Sequence, residues 1–138
     1  MKTVIATWLL MLLPPVRTTG VATTYHLGDG HSGTVLGCPG EARRLFGSDR
    51  FTDNLPIIAT RGRPACGTLV VVENVRTGLR TLAVRADSGP YGCRWPDGSR
   101  TVELECKGGT RAADFDLSRR IAREIGANGK EPVRLRWR

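Results

Sequence analysis

Apolar and polar residues alternate along several short segments of the chain, and this alternation predicts β-strands. In the stretch TLAVRAD at 81–87, Leu82, Val84 and Ala86 occupy every second position. The pattern ends at Asp87-Ser88-Gly89-Pro90, whose residues favour a tight turn. A carboxylate at the end of a strand has a rigid support and a free head group, which suits a positioned acid. The plainer interpretation is that Asp87 only caps its own turn.

Four further segments read as strands. The apolar run at 69–72 predicts a strand buried on both faces, and a hairpin at 74–78 joins it to an antiparallel strand at 80–87. Shorter strands are predicted at 23–26 and 55–60, and a small hairpin around 96–98. In the last strand, at 133–137, apolar residues alternate with arginines, so one face should be buried and the other charged.

One helix is predicted at 116–125, because its apolar residues recur at helical spacing and Gly126 follows as a stop. Asp116 or Ser118 would cap its N-terminus. Residues 41–46 are expected to form one helical turn. A strand-rich chain with a single short helix indicates a mainly β fold, and a small closed barrel leaves no exposed sheet edge.

The N-terminal segment has the layout of a secretion signal. Lys2 precedes an apolar run at 4–13, and small residues follow at 20–22, which predicts a signal peptide at 1–22 and a mature domain at 23–138. The run is too short for a permanent membrane span, and no cysteine lies close behind it for a lipid anchor. The alternative is a buried first helix. We expect an exported protein, periplasmic or extracellular, and virion-associated if it comes from a phage.

The four cysteines fit export, since an even number in a small exported domain predicts two disulfides. Three pairings are open, and the sequence does not decide among them. Cys93–Cys106 is preferred because it closes a short loop just after the turn at 87–90, which leaves Cys38–Cys66. No two cysteines have the C-x2-C spacing of a zinc site, so we predict neither a metal nor a cofactor.

The chain carries a formal net charge of +8, which favours an anionic partner. Nucleic acid, an acidic membrane and a charged wall polymer all meet that condition. An exported chain without a nucleic-acid motif favours the wall polymer over nucleic acid. We expect a monomer with no stable membrane anchor.

The order of these segments resembles the double-psi β-barrel domain of the rare lipoprotein A (RlpA)-like family, related more distantly to expansins and barwin-like proteins. The resemblance covers about residues 22–138. It rests on five segments: TTY at 23–25, CGTLVVV at 66–72, DSGPY at 87–91, DLS at 116–118, and the strand at 133–137. Two positions depart from the family pattern. Ser88 stands where the family has an arginine, and Arg61 stands where it has a histidine.

The resemblance implies a peptidoglycan lytic transglycosylase in a six-stranded double-psi barrel. Asp87 would be the catalytic aspartate and Asp116 a second functional aspartate, unless Asp116 only caps the helix. We expect substrate contacts from Thr24, Tyr25, Arg61, Ser88 and Tyr91. The alternative for Tyr25 and Tyr91 is that they are core aromatic residues.

In that chemistry, protonated Asp87 would donate to the glycosidic oxygen between N-acetylmuramic acid and N-acetylglucosamine, and charge would develop as on an oxocarbenium ion. The ionised Asp87 would then accept the proton of the muramic acid 6-hydroxyl as it attacks C1, giving a 1,6-anhydro product. The alternative is an expansin-like module that binds and loosens the wall without cutting it. Arg61 favours that alternative, because arginine is not a general acid or base at neutral pH.

Overall fold

The computed structural model of the protein describes residues 16–25 and 34–138. Within these residues the chain forms nine strands and two short helices. The strands are β1 (Val16–Thr24), β2 (Ile57–Thr60), β3 (Leu69–Asn74), β4 (Arg80–Ser88), β5 (Gly92–Arg94), β6 (Arg100–Val102), β7 (Thr110–Arg111), β8 (Phe115–Leu117) and β9 (Glu131–Trp137). The helices are α1 (Pro39–Phe46) and α2 (Arg119–Glu124).

Six strands close into a barrel in the order β1-β8-β2-β4-β3-β9. The neighbours β1–β8 and β2–β4 are parallel, and the other pairs are antiparallel. The predicted mainly β fold with a closed six-stranded barrel is confirmed, with two short helices in the described residues where one was expected. The mixed strand directions are compatible with a double-psi barrel.

The remaining strands form a small sheet beside the barrel, in the order β6-β5-β7. It contains the hairpin predicted around 96–98. The Cys93–Cys106 disulfide has an S–S distance of 1.99 Å, and the second pair, Cys38–Cys66, has 2.13 Å, so the preferred pairing is confirmed. Disulfides are typical of oxidising compartments such as the periplasm or the cell exterior. Over the described ranges, no helix has both the length and the apolar character needed to cross a membrane.

The first strand is longer than predicted and begins earlier. Residues 16–22 pair in antiparallel register with residues 137–131 of β9. The predicted signal peptide at 1–22 therefore overlaps β1, while residues 1–15 and the predicted strand position 26 lie outside the described part of the chain. Cleavage after Ala22 stays a prediction, and it would remove this pairing from the barrel.

Apolar side chains pack in two separate cores. The barrel interior holds Ala22, Ile58, Val70, Val72, Ala83, Phe115, Leu117, Val133, Leu135 and Trp137, and Ile121, Ala122 and Ile125 around α2 close one end. The second core lies on the outer face of the barrel, where segment 34–56 covers β2 and β4. It holds Tyr25, Leu36, Ala42, Phe51, Ile57, Ala59 and Ala86.

The burial of β3 and β4 differs from the expectation. Leu69 at the start of β3 is 57% exposed, so that strand is not buried on both faces. In β4, Leu82 is 47% exposed, whereas Ala83 is fully buried and Arg85 nearly so. The barrel is narrow, so the smaller Ala83 faces its interior. The antiparallel hairpin of β3 and β4 is confirmed.

The helices also differ from the prediction. Asp116 lies in β8 and does not open the helix, because β8 pairs with both β1 and β2. Ser118 is the N-cap of α2, and its hydroxyl accepts a hydrogen bond from the Ile121 N–H. The helical turn expected at 41–46 is an eight-residue helix, α1, which begins after Cys38 and ends at Phe46, with Gly47 as its C-cap.

Candidate functional site

Four neighbouring strands align two aspartates in one row across the outer face of the barrel. Thr23 of β1 is opposite Asp116 of β8. Asp116 is in turn opposite Ala59 of β2, and Ala59 is opposite Asp87 of β4. Neighbouring strands lie about 4.8 Å apart, so the Cα atoms of the two aspartates, separated by β2, are roughly 10 Å apart. Ala59, the residue of the row between them, is fully buried in the second core.

A β-bulge brings Asp87 into this row. The pairing of β2 with β4 shifts register, so that Ile58 is opposite Arg85 and Ala59 is opposite Asp87. Ala86 is the extra residue of the bulge, and such an insertion re-aims the side chain that follows it. Arg85 faces the barrel interior, while Asp87 contacts residues on the outer face.

The Asp87 carboxylate accepts three hydrogen bonds from described residues. Its Oδ1 accepts from the backbone N–H of Gly37 at 2.6 Å and of Ser88 at 2.9 Å. Its Oδ2 accepts from the Tyr25 hydroxyl at 2.5 Å. The Ser88 contact is the turn cap of the plainer interpretation. The other two hydrogen bonds come from distant parts of the chain, so the carboxylate is held by more than its own turn.

Tyr25 lies between the two aspartates and is only 7% exposed. Its ring packs against Phe51 with 4.7 Å between the centroids. Burial raises the pKa of Tyr25 far above its usual value, with further contributions from Asp87 and Asp116. The hydroxyl therefore keeps its proton at physiological pH. The Tyr25 hydroxyl holds Asp87, and the Tyr25 ring is buried in the second core. Little of the ring is therefore accessible for stacking on a sugar.

Asp116 is held by Thr23, whose hydroxyl donates a hydrogen bond to Asp116 Oδ1. Thr24, the next residue, points to the other face of β1. There it lines a separate cavity of about 370 Å³ beside α2. The sequence indicated Thr24 as a site residue, and the structure instead brings Thr23 to Asp116. In a strand, one residue changes the face.

Arg61 follows β2 and holds two loops together. Its Nη1 donates to the backbone carbonyls of Pro90 at 2.7 Å and Ala113 at 2.9 Å, and its Nη2 lies 3.5 Å from Asp114. Burial, followed by the charge of Arg111, lowers the pKa of Arg61 from its usual value. These contacts direct Arg61 to backbone carbonyls rather than to Asp87.

Ser88 and Tyr91 belong to the turn that follows Asp87. The Ser88 hydroxyl is 3.1 Å from Nη2 of Arg85, and the same nitrogen donates to the Thr60 carbonyl at 3.0 Å. Arg85 is 6% exposed, so a buried guanidinium supports the turn from the barrel interior. Tyr91 is half-buried, and its carbonyl accepts from the Glu103 N–H at 2.9 Å, which joins the turn to the small sheet.

Sequence reasoning missed Gly37, Thr23 and Arg85. Gly37 approaches the turn so closely that a Cβ there would lie 2.8 Å from Ser88 N and 3.0 Å from Asp87 Oδ1. Strand periodicity could have identified Thr23 and Arg85 once the faces of β1 and β4 were known. Nothing in the sequence around Gly37 links it to a turn that lies 50 residues later.

No group of three or more potential metal ligands occurs within residues 16–25 and 34–138. Neither a protein-family model nor a curated protein sequence matches the chain. The function must therefore be argued from the aspartate row and its surroundings.

Proposed function

We propose that the chain is a peptidoglycan lytic transglycosylase of the RlpA-like type, with Asp87 as its proton-transferring group. The observation that carries the proposal is the row in which Asp87 and Asp116 flank Ala59 on one face of a closed barrel. Glycosidases commonly use a pair of carboxyl groups to cleave the glycosidic bond.

The hydrogen bonds of Asp87 suit a carboxyl group that gains and loses a proton. Oδ1 faces two backbone N–H groups, which can only donate, so it must remain an acceptor. Oδ2 faces the Tyr25 hydroxyl, which can donate to a carboxylate or accept from a carboxylic acid. We therefore assign the transferred proton to Oδ2, with Tyr25 as its positioning residue.

In the first step, the Oδ2 proton moves to the glycosidic oxygen, and the bond between that oxygen and C1 of N-acetylmuramic acid breaks. Positive charge develops on the sugar ring as on an oxocarbenium ion. In the second step, the 6-hydroxyl oxygen bonds to C1 while its proton moves to Oδ2. The sugar becomes a 1,6-anhydro product, and Asp87 returns to its protonated form without an added water.

Asp116 is assigned an electrostatic role. Its carboxylate is oriented by Thr23 and lies on the same outer face as Asp87, so it can stabilise positive charge on a sugar held at Asp87. The net charge of +8 suits an anionic wall, and the two disulfides suit an exported protein.

The second candidate is a wall-binding module that does not cleave its ligand. The contacts of Arg61 favour it, because the guanidinium holds two carbonyls at the position where the resembled family has a histidine. With arginine there, no proton-transferring side chain assists Asp87 from that position.

The test is mass spectrometry of purified sacculi, both intact and stripped of stem peptides, after incubation with the oxidised protein. Wild type should release products with the 1,6-anhydro mass. Asp87→Asn keeps an acceptor for Gly37 and Ser88, so it should stay folded and lose at least about 100-fold in product. Tyr25→Phe removes one hydrogen bond to a charged group, and we expect a loss of roughly 10- to 100-fold.

Three outcomes separate the alternatives. Binding to sacculi without products from wild type would support the module that does not cleave. Products with an ordinary reducing end would indicate hydrolysis by an activated water, with Asp116 as the candidate base. Full activity of a folded Asp87→Asn variant would refute the role given to Asp87. Circular dichroism and thermal unfolding of each variant provide the folding control.

A further inference from the structure

The two ends of the barrel differ. α2 covers the end at which β1 and β8 finish. At the opposite end, where β1 and β8 begin and β9 finishes, there is a cavity of about 380 Å³. We call this cavity the barrel mouth. Its base includes the aromatic rings of Phe115 and Trp137, which are 7% and 6% exposed.

Three arginines and one aspartate line the barrel mouth: Arg17, Arg61, Arg63 and Asp114. The Asp114 carboxylate already has partners within the protein. Its Oδ2 accepts from the Val21 N–H at 2.8 Å, and its Oδ1 lies 3.5 Å from Arg61. Gly20 lets it pack closely on β1, since a Cβ at Gly20 would lie 2.8 Å from the Asp114 side chain. Among the described lining residues, the single carboxylate is therefore held against the backbone and against Arg61.

No carboxylate of the described residues balances the charges of Arg17 and Arg63. Neither forms an ion pair with another residue in the part of the chain that the structure describes. Both are exposed, and the Arg63 guanidinium carbon lies 6.0 Å from the centroid of the Trp137 ring. A cation–π contact of this kind orients a guanidinium at an aromatic surface. Two exposed guanidinium groups beside a partly apolar cavity, one of them over Trp137, suit the binding of an anion.

We propose that the barrel mouth binds a carboxylate group of the wall glycan, through Arg17 and Arg63. The cavity falls in the size range of small-ligand sites, and the mouth of a barrel is a common place for one. Trp137 and Phe115 supply apolar contact for the ring or aliphatic part that carries the carboxylate. The choice of a glycan rests on the proposed function, whereas binding itself does not require that Asp87 cleave anything.

Peptidoglycan offers this carboxylate from two sources, the lactyl ether of muramic acid and the stem peptide. Both are tested by NMR titration of the isotope-labelled full chain, because a protein cleaved after Ala22 would lack Arg17 and with it the proposed site. The probes are N-acetylmuramic acid, the isolated stem tetrapeptide, the neutral N-acetylglucosamine and inorganic phosphate. We expect one or both carboxylate probes to shift the Trp137 indole signal, with an affinity that falls as salt is added. N-acetylglucosamine should bind at least about tenfold more weakly.

Two pairs of alanine substitutions each remove two positive charges, so that they lower the net charge equally. Arg17→Ala with Arg63→Ala should weaken carboxylate binding by at least about tenfold, and the paired lysine substitutions should retain part of it. Arg44→Ala with Arg100→Ala removes two exposed arginines elsewhere and should leave binding unchanged. Thermal unfolding shows that each variant is folded.

Carboxylate binding that both alanine pairs weaken equally would overturn the site, because the effect would then come from net charge. Binding that neither pair weakens, or a Trp137 signal that no carboxylate moves, would overturn it as well. Tighter binding of phosphate than of either carboxylate would overturn the carboxylate assignment. If the carboxylates bind as expected and sacculi yield no product, the proposed cleavage fails while the barrel mouth stands. The reverse result would refute the barrel mouth alone.

Discussion

The contact between Gly37 and the turn after β4 gives a sharp test of the candidate site. We predict that Gly37→Ala destabilises the protein and displaces Asp87. The added Cβ would lie 2.8 Å from Ser88 N, 2.9 Å from Ser88 Oγ and 3.0 Å from Asp87 Oδ1. The φ angle of Gly37 lies outside the left-handed region, so the effect comes from space and not from backbone strain.

The magnitude follows from what can move. One crowded atom is a backbone nitrogen, and Arg85 holds the Ser88 hydroxyl, so the turn or segment 34–37 must shift as a whole. Overpacking of this kind costs about 1–3 kcal/mol. Weakening the Gly37–Asp87 hydrogen bond adds about 1 kcal/mol or more, because its acceptor is a carboxylate. We therefore expect a loss of roughly 2–4 kcal/mol in the free energy of unfolding.

Gly40→Ala is the matched control. Gly40 lies in the first turn of α1 and is exposed, and a Cβ added there would have no atom within 4 Å. Alanine there should be neutral or stabilise by up to about 1 kcal/mol, because it favours the helix. Urea unfolding at neutral pH measures both variants, and amide NMR spectra report on Ser88. A loss below about 0.5 kcal/mol for Gly37→Ala, the scatter expected of surface substitutions, with an unchanged Ser88 signal, would refute the close packing.

Two further predictions concern the ends of the barrel strands. Glu131 is 3% exposed and accepts from Arg76 and from the Asn128 N–H, and these hydrogen bonds lower its pKa below the usual value. The ionised Glu131 therefore contributes its full stabilisation at pH values above its pKa in the unfolded chain. This stabilisation is lost as the pH falls through the lower pKa that Glu131 has in the folded protein. Glu131→Gln should have a lower free energy of unfolding than wild type at pH 7, and the difference should shrink in acid. The control Glu105→Gln, at an exposed position, should show no such change with pH. A difference between Glu131→Gln and wild type that stays constant with pH would contradict this prediction. A chain of residues 16–138 should unfold cooperatively, whereas residues 23–138 should lose most of their stability, because β9 loses its pairing with β1, keeps only β3 and the barrel opens. Equal urea midpoints would show that the pairing of residues 16–22 is dispensable.

The alternation of side chains along the strands was enough to predict the barrel, but not which residues face its interior. Leu82 and Val84 have the same periodicity as Ala83 and Arg85, and hydrophobicity favours the first pair for the interior. The structure places Ala83 and Arg85 there. The interior of a six-stranded barrel has little room, and Arg85 finds acceptors in Thr60 and Ser88 that only the folded chain brings to it. Packing across the barrel therefore overrides local hydrophobicity.

The positions of the candidate site residues in the fold could be predicted only in part, and the errors in position have a common cause. Asp87 was identified from its position at the end of a strand, and the structure adds the bulge at Ala86 that aims it. Asp116 was assigned to a helix because Leu117 fits the helical spacing of Ile121 and Ile125. Leu117 is also the last residue of a strand that pairs on both sides, and that pairing fixes Asp116 opposite Ala59. Partners that are distant in sequence leave no local signal.

Arg61 connects the two proposed sites, and this limits what an Arg61→Ala variant can show. It follows Ala59 by two residues, a distance of about 7 Å along an extended chain, so it stands between the aspartate row and the barrel mouth. Its guanidinium joins Pro90, in the turn after Asp87, to Ala113 and Asp114 beside the barrel mouth. Arg61→Ala would therefore disturb both sites and could not distinguish cleavage from anion binding. Substitutions at Asp87 and at the pair Arg17 and Arg63 each affect one site, and only their comparison can show whether a glycan held by its carboxylate is also the glycan that is cut.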